Sequence, residues 1–346
     1  MTFGHGDDLY HYPGIQHNFS SNIYAHADLS LLYEHLSRRL QLIGSYPPPE
    51  STAVEVMLAE QHGISADSVL VTNGATDAIY LAAQAFSSPF PHYALWQPTF
   101  SEYADASRLA GMTPVSGGTE ESKRTVFWLC NPNNPTGTVC SPDTVRQLSE
   151  HYALLVLDQS YEDYTLAQLM TPREAIEQGN IIQLHSFTKT YAIPGLRIGY
   201  VVAAPQLMAS LRRYLRPWSV NALAVDAALW LLTHPLPAVP DRVAYLSEAQ
   251  VLYRKLNAIE GITVTPTQTN FMLASLQPSA TVAPSLTAAE LKERLAVHHH
   301  ILIRDASNFD GLTPFHFRIA AQLPAENQLL VEAIERELLK SQHPKR

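Results

Sequence analysis

Short unbroken apolar runs alternate with amphipathic stretches through the middle of this 346-residue chain. The runs at 69–72, 93–96, 125–130 and 153–157, and the one beginning at Ile181, are too short for helices and read as buried strands. Between them lie segments of helical period. One spans 51–62 and is stopped by Gly63; another spans 78–86, after the turn Asn73-Gly74-Ala75-Thr76-Asp77. A third is opened by Ser141-Pro142-Asp143 as N-cap and first turn. Strands alternating with helices from about 69 to 203 predict an α/β fold with a mostly parallel sheet covered by helices on both faces. In such sheets ligands gather at the carboxyl ends of the strands.

The flanks read differently. Residues 1–27 are punctuated by Gly, Pro, Asn and Ser and predict an extended arm that packs on something else. Asp28 precedes LSLLYEHLSRRL and predicts a helix that Gly44 ends; the three prolines of SYPPPE exclude regular structure at 45–50. The segment 207–232 is helical with a break at 216–219, and the proline-rich 234–240 reads as a boundary. Beyond it come a long amphipathic helix at 241–259, short strands near Val264 and at 271–273 and 301–303, a helix at 288–297 and a last helix at 325–339. The pattern predicts a large domain at 45–235, a smaller α/β domain at 236–346, and an arm and helix at 1–44 that belong with the smaller domain. His298-His299-His300 ends a helix just before a strand, which places imidazoles near terminal carbonyls and predicts no metal site.

Composition narrows the function. A content of 46% hydrophobic and 16% charged residues describes a soluble globular protein with a substantial core. A formal charge of −9 argues against nucleic acid or an anionic membrane as partner, so an anionic ligand has to be held by a local cluster. Two cysteines, Cys130 and Cys140, make no disulfide framework and fit a reducing compartment. The N-terminus shows no basic and apolar leader pattern, and no apolar run reaches the ~18 residues of a membrane span. The expected location is the cytoplasm.

Candidate chemistry clusters just past the strands. Lys189 lies in IIQLHSFTKTYAIPGLRIGY, between apolar segments and without a nearby carboxylate in sequence. A buried lysine loses its charge readily and becomes an amine nucleophile, whereas an exposed one is ordinary loop surface. Ser186 and Arg197 flank it and can hold an anion, an arrangement that looks like a seat for pyridoxal phosphate. Ala75 and Thr76 begin a helix after a glycine turn, where backbone N–H groups converge on one point. Phe100 follows a strand and can stack on a flat ring or fill the core. Asn134 sits in the amide-rich turn Asn131-Pro132-Asn133-Asn134-Pro135-Thr136-Gly137. Asp158, followed by Tyr161, ends an apolar strand, where an unpaired carboxylate is costly unless it caps a turn. His5 and Asn22 in the arm can face a site or solvent, and Tyr46 stands before the rigid prolines.

Taken in order, Asn73-Gly74, Asn134-Pro135-Thr136-Gly137, Asp158…Tyr161, Ser186-Phe187-Thr188-Lys189, Arg197 and Arg318 in HFRIA resemble the fold-type-I pyridoxal-phosphate enzymes of the class I/II aminotransferase kind, over nearly the whole chain. The resemblance implies pyridoxal 5'-phosphate as cofactor, with Lys189 bonding it and shuttling protons. It implies Asp158 on the pyridine nitrogen, Tyr161 and Asn134 on the ring oxygen, and Phe100 stacked on the ring. Ala75, Thr76, Ser186 and Arg197 would hold the cofactor phosphate. Tyr46 would reach the cofactor phosphate of a neighbouring subunit, which implies a homodimer. Arg318 would take a substrate α-carboxylate. Within this family two branches that act on phosphorylated amines are similar: threonine-phosphate decarboxylases and histidinol-phosphate aminotransferases. The stretches His5-Gly6 with 18–23, 191–197, 217–224, and 301–304 with 308–312 look more like the former. They imply Arg304, His5 and Asn22 round a substrate phosphate. Departures occur at Asp7-Asp8 after His5-Gly6, and at Tyr24 after Asn22-Ile23.

Overall fold

Five of the apolar runs are buried along their whole length: Val69–Thr72, Thr125–Cys130, Leu154–Asp158, Ile181–Ser186 and Gly199–Ala203. Buried backbone must find its hydrogen bonds within the protein, so these segments pair edge to edge. The computed structural model describes residues 8–116, 119–234, 236–277 and 286–341. In it they join His92–Leu95 and Thr113–Pro114 in a seven-stranded sheet. The order across the sheet is Val69–Thr72, Gly199–Ala203, Ile181–Ser186, Leu154–Asp158, Thr125–Cys130, His92–Leu95, Thr113–Pro114. Every neighbouring pair is parallel except those made by Gly199–Ala203, which runs antiparallel to both its neighbours. The sheet is therefore mostly parallel, as the alternating pattern predicts.

Successive side chains of each strand enter opposite cores. Val126 and Trp128 pack with the helix Gly74–Phe86, while Phe127 and Leu129 pack on the other face with Val145 of the helix Pro142–His151. A second sheet of four antiparallel strands, Arg304–Asp305, His316–Ala320, Phe271–Leu276 and Ile262–Val264, carries its own core with the helices Arg242–Asn257, Ala288–His299 and Pro324–Ser341.

The arm joins that second core. His17–Asn18 pairs in parallel with Ile301–Leu302, and the fully buried Phe19 exchanges backbone hydrogen bonds with Leu302 and Ala320. The first helix departs from the expected grouping. Ser30–Ser37 packs Leu32 with Val54, Val202 and Ala224 against the large sheet, and His35 and Arg39 both reach Asp226 of the helix Ala222–Thr233. Its apolar face matches that layer, so it leaves the smaller unit to which the sequence pattern assigned it. It is also shorter than expected, the chain tightening into a 3-10 turn at Leu40–Gly44. His298 and His299 do end a helix, but their imidazoles face the buried Glu337 carboxylate. Among the described residues no helix is long and apolar enough to cross a membrane, and no cluster suits a metal ion.

Gly137 joins the two sheets. Its φ is +73°, and a Cβ there would lie 2.0 Å from Thr267 Oγ1 and 2.7 Å from the Phe271 carbonyl. The Gly137 carbonyl also accepts from the Gln268 N–H at 2.9 Å. Gly137→Ala is expected to destabilise the protein by on the order of 2–4 kcal/mol through positive-φ strain and overpacking. Denaturant titration checks this; an unchanged midpoint refutes the close approach.

Candidate active site

The carboxyl ends of the large-sheet strands open on a cavity of about 640 Å³. Its walls come from residues 75–80, 100–103, 130–134, 158–161, 186–189 and 194–197, from Ser21, Asn22 and Ile23 of the arm, and from Arg318 of the second sheet.

Asp158 ends its strand buried among apolar neighbours, and its carboxylate is satisfied by two donors. Tyr103 Oη donates to Oδ2 at 2.7 Å and the Ser160 N–H donates to Oδ1 at 2.9 Å. The Tyr103 ring lies nearly flat against Trp128, with centroids 5.5 Å apart. Burial, reinforced by the Asp158 charge, pushes the Tyr103 hydroxyl well above its ordinary range, so it stays a donor. The same causes push the Cys130 thiol up to about 12, which leaves it neutral and unreactive.

Lys189 follows the strand Ile181–Ser186 in the one-turn helix Phe187–Thr190 and is half-buried. Its Nζ stands 5.6 Å from the centre of the Tyr161 ring, and its carbonyl accepts from Tyr164 Oη at 3.1 Å. Burial raises the Tyr161 hydroxyl to about 12, against the pull of the Arg318 charge. Phe100 meets Tyr103 edge to face at 5.7 Å.

A cradle for an anion lies beside the lysine turn. Gly74 opens the helix Gly74–Phe86 at φ +80°, and a Cβ on it would sit 2.8 Å from Arg197 Nη2. A Cβ on Gly199 would meet the Ala75 nitrogen at 2.8 Å. The two glycines thus let a guanidinium and a helix N-terminus converge. Arg197 itself has a left-handed backbone, and its Nη1 donates to the Pro194 carbonyl at 3.2 Å. Ser186, buried and lining the cavity, pairs in register with Gly199.

Arg318 is 4% exposed and makes no ion pair among the described residues. Its Nη1 donates to Asn134 Oδ1 and its Nη2 to the Ser20 carbonyl, each at 2.5 Å. Burial lowers its pKa to about 10, which still leaves it charged at neutral pH. Three cavity-lining groups are buried with no well-formed protein hydrogen bond: Arg318 Nε, Thr188 Oγ1 and the Asn22 amide, the last within reach of the Tyr161 hydroxyl. Orphaned polar groups facing one cavity call for a polar ligand. A buried carboxylate, an amine, a glycine-cradled anion site and a buried guanidinium fit pyridoxal phosphate with an anionic substrate.

The remaining expected residues lie elsewhere. Arg304 is buried opposite Arg318 in the strand register but does not line the cavity; its Nη2 donates to Asn308 Oδ1 at 2.9 Å. Tyr46 is 87% exposed, against Trp218, in a separate hollow. His5 lies outside the described residues. Sequence reading missed Tyr103, Thr188 and Ser20. The spacing Phe100-x-x-Tyr103 at a helix start puts both rings on one side, which was a usable signal; the Ser20 carbonyl has none.

The family model for aminotransferase class I and II matches residues 15–334. A crystal structure of L-threonine-O-3-phosphate decarboxylase from Porphyromonas gingivalis is 36% identical and superposes with a TM-score of 0.86 over 93% of this chain and 99% of that one. A protein of Caldanaerobacter subterraneus provisionally named threonine-phosphate decarboxylase is 29% identical over 96% of this chain and 93% of its own length. A histidinol-phosphate aminotransferase of the same organism is 28% identical over 86% of this chain and 85% of its own. The chain belongs to the class I and II aminotransferase family and is a pyridoxal-phosphate-dependent enzyme.

Proposed function

We propose that this enzyme decarboxylates L-threonine O-3-phosphate to (R)-1-amino-2-propanol O-2-phosphate. The observation that carries the reading is Arg318: a buried, charged guanidinium on the cavity with no carboxylate partner among the described residues. A substrate carboxylate supplies the missing counter-ion. The likeness to the Porphyromonas decarboxylase supports the choice of substrate.

When bound, the cofactor supplies an electron sink for the pair left behind when a bond at the substrate Cα breaks. Lys189 would hold the cofactor and, once released from it, would donate a proton, replenished from solvent, to the carbon left with the electron pair when CO2 departs. Asp158, fixed by hydrogen bonds from Tyr103 and the Ser160 N–H, would pair with the pyridine nitrogen. Tyr161 and Asn134 serve the ring oxygen, and Phe100 covers the ring. Ala75, Thr76, Ser186 and Arg197 hold the cofactor phosphate. Arg318, fixed by Asn134 and Ser20, orients the carboxylate so that its bond to Cα is the one that breaks. Asn22, on the cavity wall, offers hydrogen bonds for the substrate phosphate; Arg304, which stands off the cavity on Asn308, does not reach it in this arrangement. Tyr46, exposed beside Trp218, meets a second copy of the chain in a homodimer and completes that copy's phosphate site.

A second reading is histidinol-phosphate transamination. It is favoured by the relative at 28% identity, close to the 29% of the decarboxylase relative. Purified holoenzyme given O-phospho-L-threonine is expected to release CO2 without any keto acid. No CO2 while the cofactor's visible absorbance persists overturns the decarboxylase reading, and turnover of histidinol phosphate that requires 2-oxoglutarate establishes the second. Lys189→Ala is expected to lose about 10³-fold or more in kcat. Tyr103→Phe removes one donor to Asp158, and kcat is expected to fall about tenfold with a displaced cofactor absorbance band; an unaltered spectrum and rate refute the role of Tyr103.

A further inference from the structure

One carboxylate holds both ends of the arm segment that walls the cavity. Glu326, in the first turn of the helix Pro324–Ser341, accepts from His17 Nδ1 at 2.7 Å and from His26 Nε2 at 2.5 Å. Gln322, next to it, donates to the Asn18 carbonyl at 3.2 Å and accepts from the Ala25 N–H at 3.2 Å. Four bonds thus tie the two ends of 17–26 to one short stretch, 322–326. Between those ends, the Ser20 carbonyl takes Arg318 Nη2, while Ser21, Asn22 and Ile23 face the cavity. Burial works to raise the Glu326 carboxyl, but the bonds from His17 and His26 overcome it and hold it below the usual range, so it stays ionised. Tyr24 is a further titratable group beside this cluster, its ring centre 5.7 Å from that of His26.

We infer that Glu326 is a positioning residue, a clasp that keeps the wall 20–23 closed on the cavity through His17 and His26 and thereby sets substrate affinity. Release of the clasp lowers the fraction of enzyme with a formed wall, and apparent affinity falls in the same proportion. Saturating substrate restores the wall, so the maximal rate is preserved. The bland alternative is that Glu326 only caps its own helix through the Leu323 N–H, at 3.3 Å from Oε2. Loss of a cap lowers thermal stability and leaves KM alone.

Hydrogen exchange and steady-state kinetics on the holoenzyme separate the two. Glu326→Ala, and His17→Asn with His26→Asn as a pair that leaves the cap intact, are expected to speed amide exchange in 17–26 about tenfold while exchange in 181–186 stays as in the parent. KM for O-phospho-L-threonine is expected to rise about tenfold with kcat within about twofold, and saturating substrate is expected to restore protection of the arm. Unchanged exchange in the arm of the histidine pair overturns the clasp. Faster exchange with unchanged KM overturns its link to affinity. The kinetic half rests on the threonine-phosphate reading: if the parent enzyme releases no CO2 from that substrate, that reading fails, while the exchange comparison still decides the clasp.

Discussion

Arg318 ends up buried on a strand of the second sheet, yet its outer nitrogens reach the Asn134 side chain on a turn of the first sheet and the Ser20 carbonyl on the arm. An ion out of water costs several kcal/mol even after relaxation. Two hydrogen bonds offset part of that cost, and the rest is relieved only by an anion on the cavity side. The joint between the sheets and the ligand site are therefore one object: the group that binds three parts of the chain together is also the group with unsatisfied charge.

The other buried charge, Asp158, is handled differently. Its donors are local to its own sheet: Tyr103, on the helix Glu102–Leu109 and stacked on Trp128 of the adjacent strand, and the backbone two residues on. Both of its oxygens are satisfied by these fixed donors. The anion cradle uses a third device, backbone crowding. Gly74 and Gly199 admit Arg197 and the Ala75 N–H to distances that any side chain would block. Each solution is distinct: a carboxylate fixed by two donors, a donor set opened by glycines, and a buried cation with no ion pair among the described residues.

Much of this could be read along the chain because it depends on neighbours in sequence. Unbroken apolar runs implied buried strands, and Asn73-Gly74, Asp158 and Ser186 fell at strand ends by simple position. Bounds slipped where local and tertiary preferences compete. The helix after Asp28 carries a continuous apolar period, but its end tightens at Leu40–Gly44 where it packs on Ala222–Thr233. The histidines at 298 and 299 were rightly placed at a helix end, but their partner Glu337 belongs to another helix, which no local rule supplies.

By itself the sequence determined the α/β class, the order of the strand-end motifs and the residue types available for chemistry, since periodicity, turn residues and capping act over a few positions. Only the tertiary structure decided which groups meet. Arg318 bonds partners 184 and 298 positions away, and Glu326 reaches arm residues 309 and 300 positions away. Such meetings are set by how two cores pack, a property of the whole folded chain. For the same reason only the structure showed that Arg304 pairs beside Arg318 in the strand register without lining the cavity, that Tyr46 faces outward, and that the helix Ser30–Ser37 sides with the large sheet.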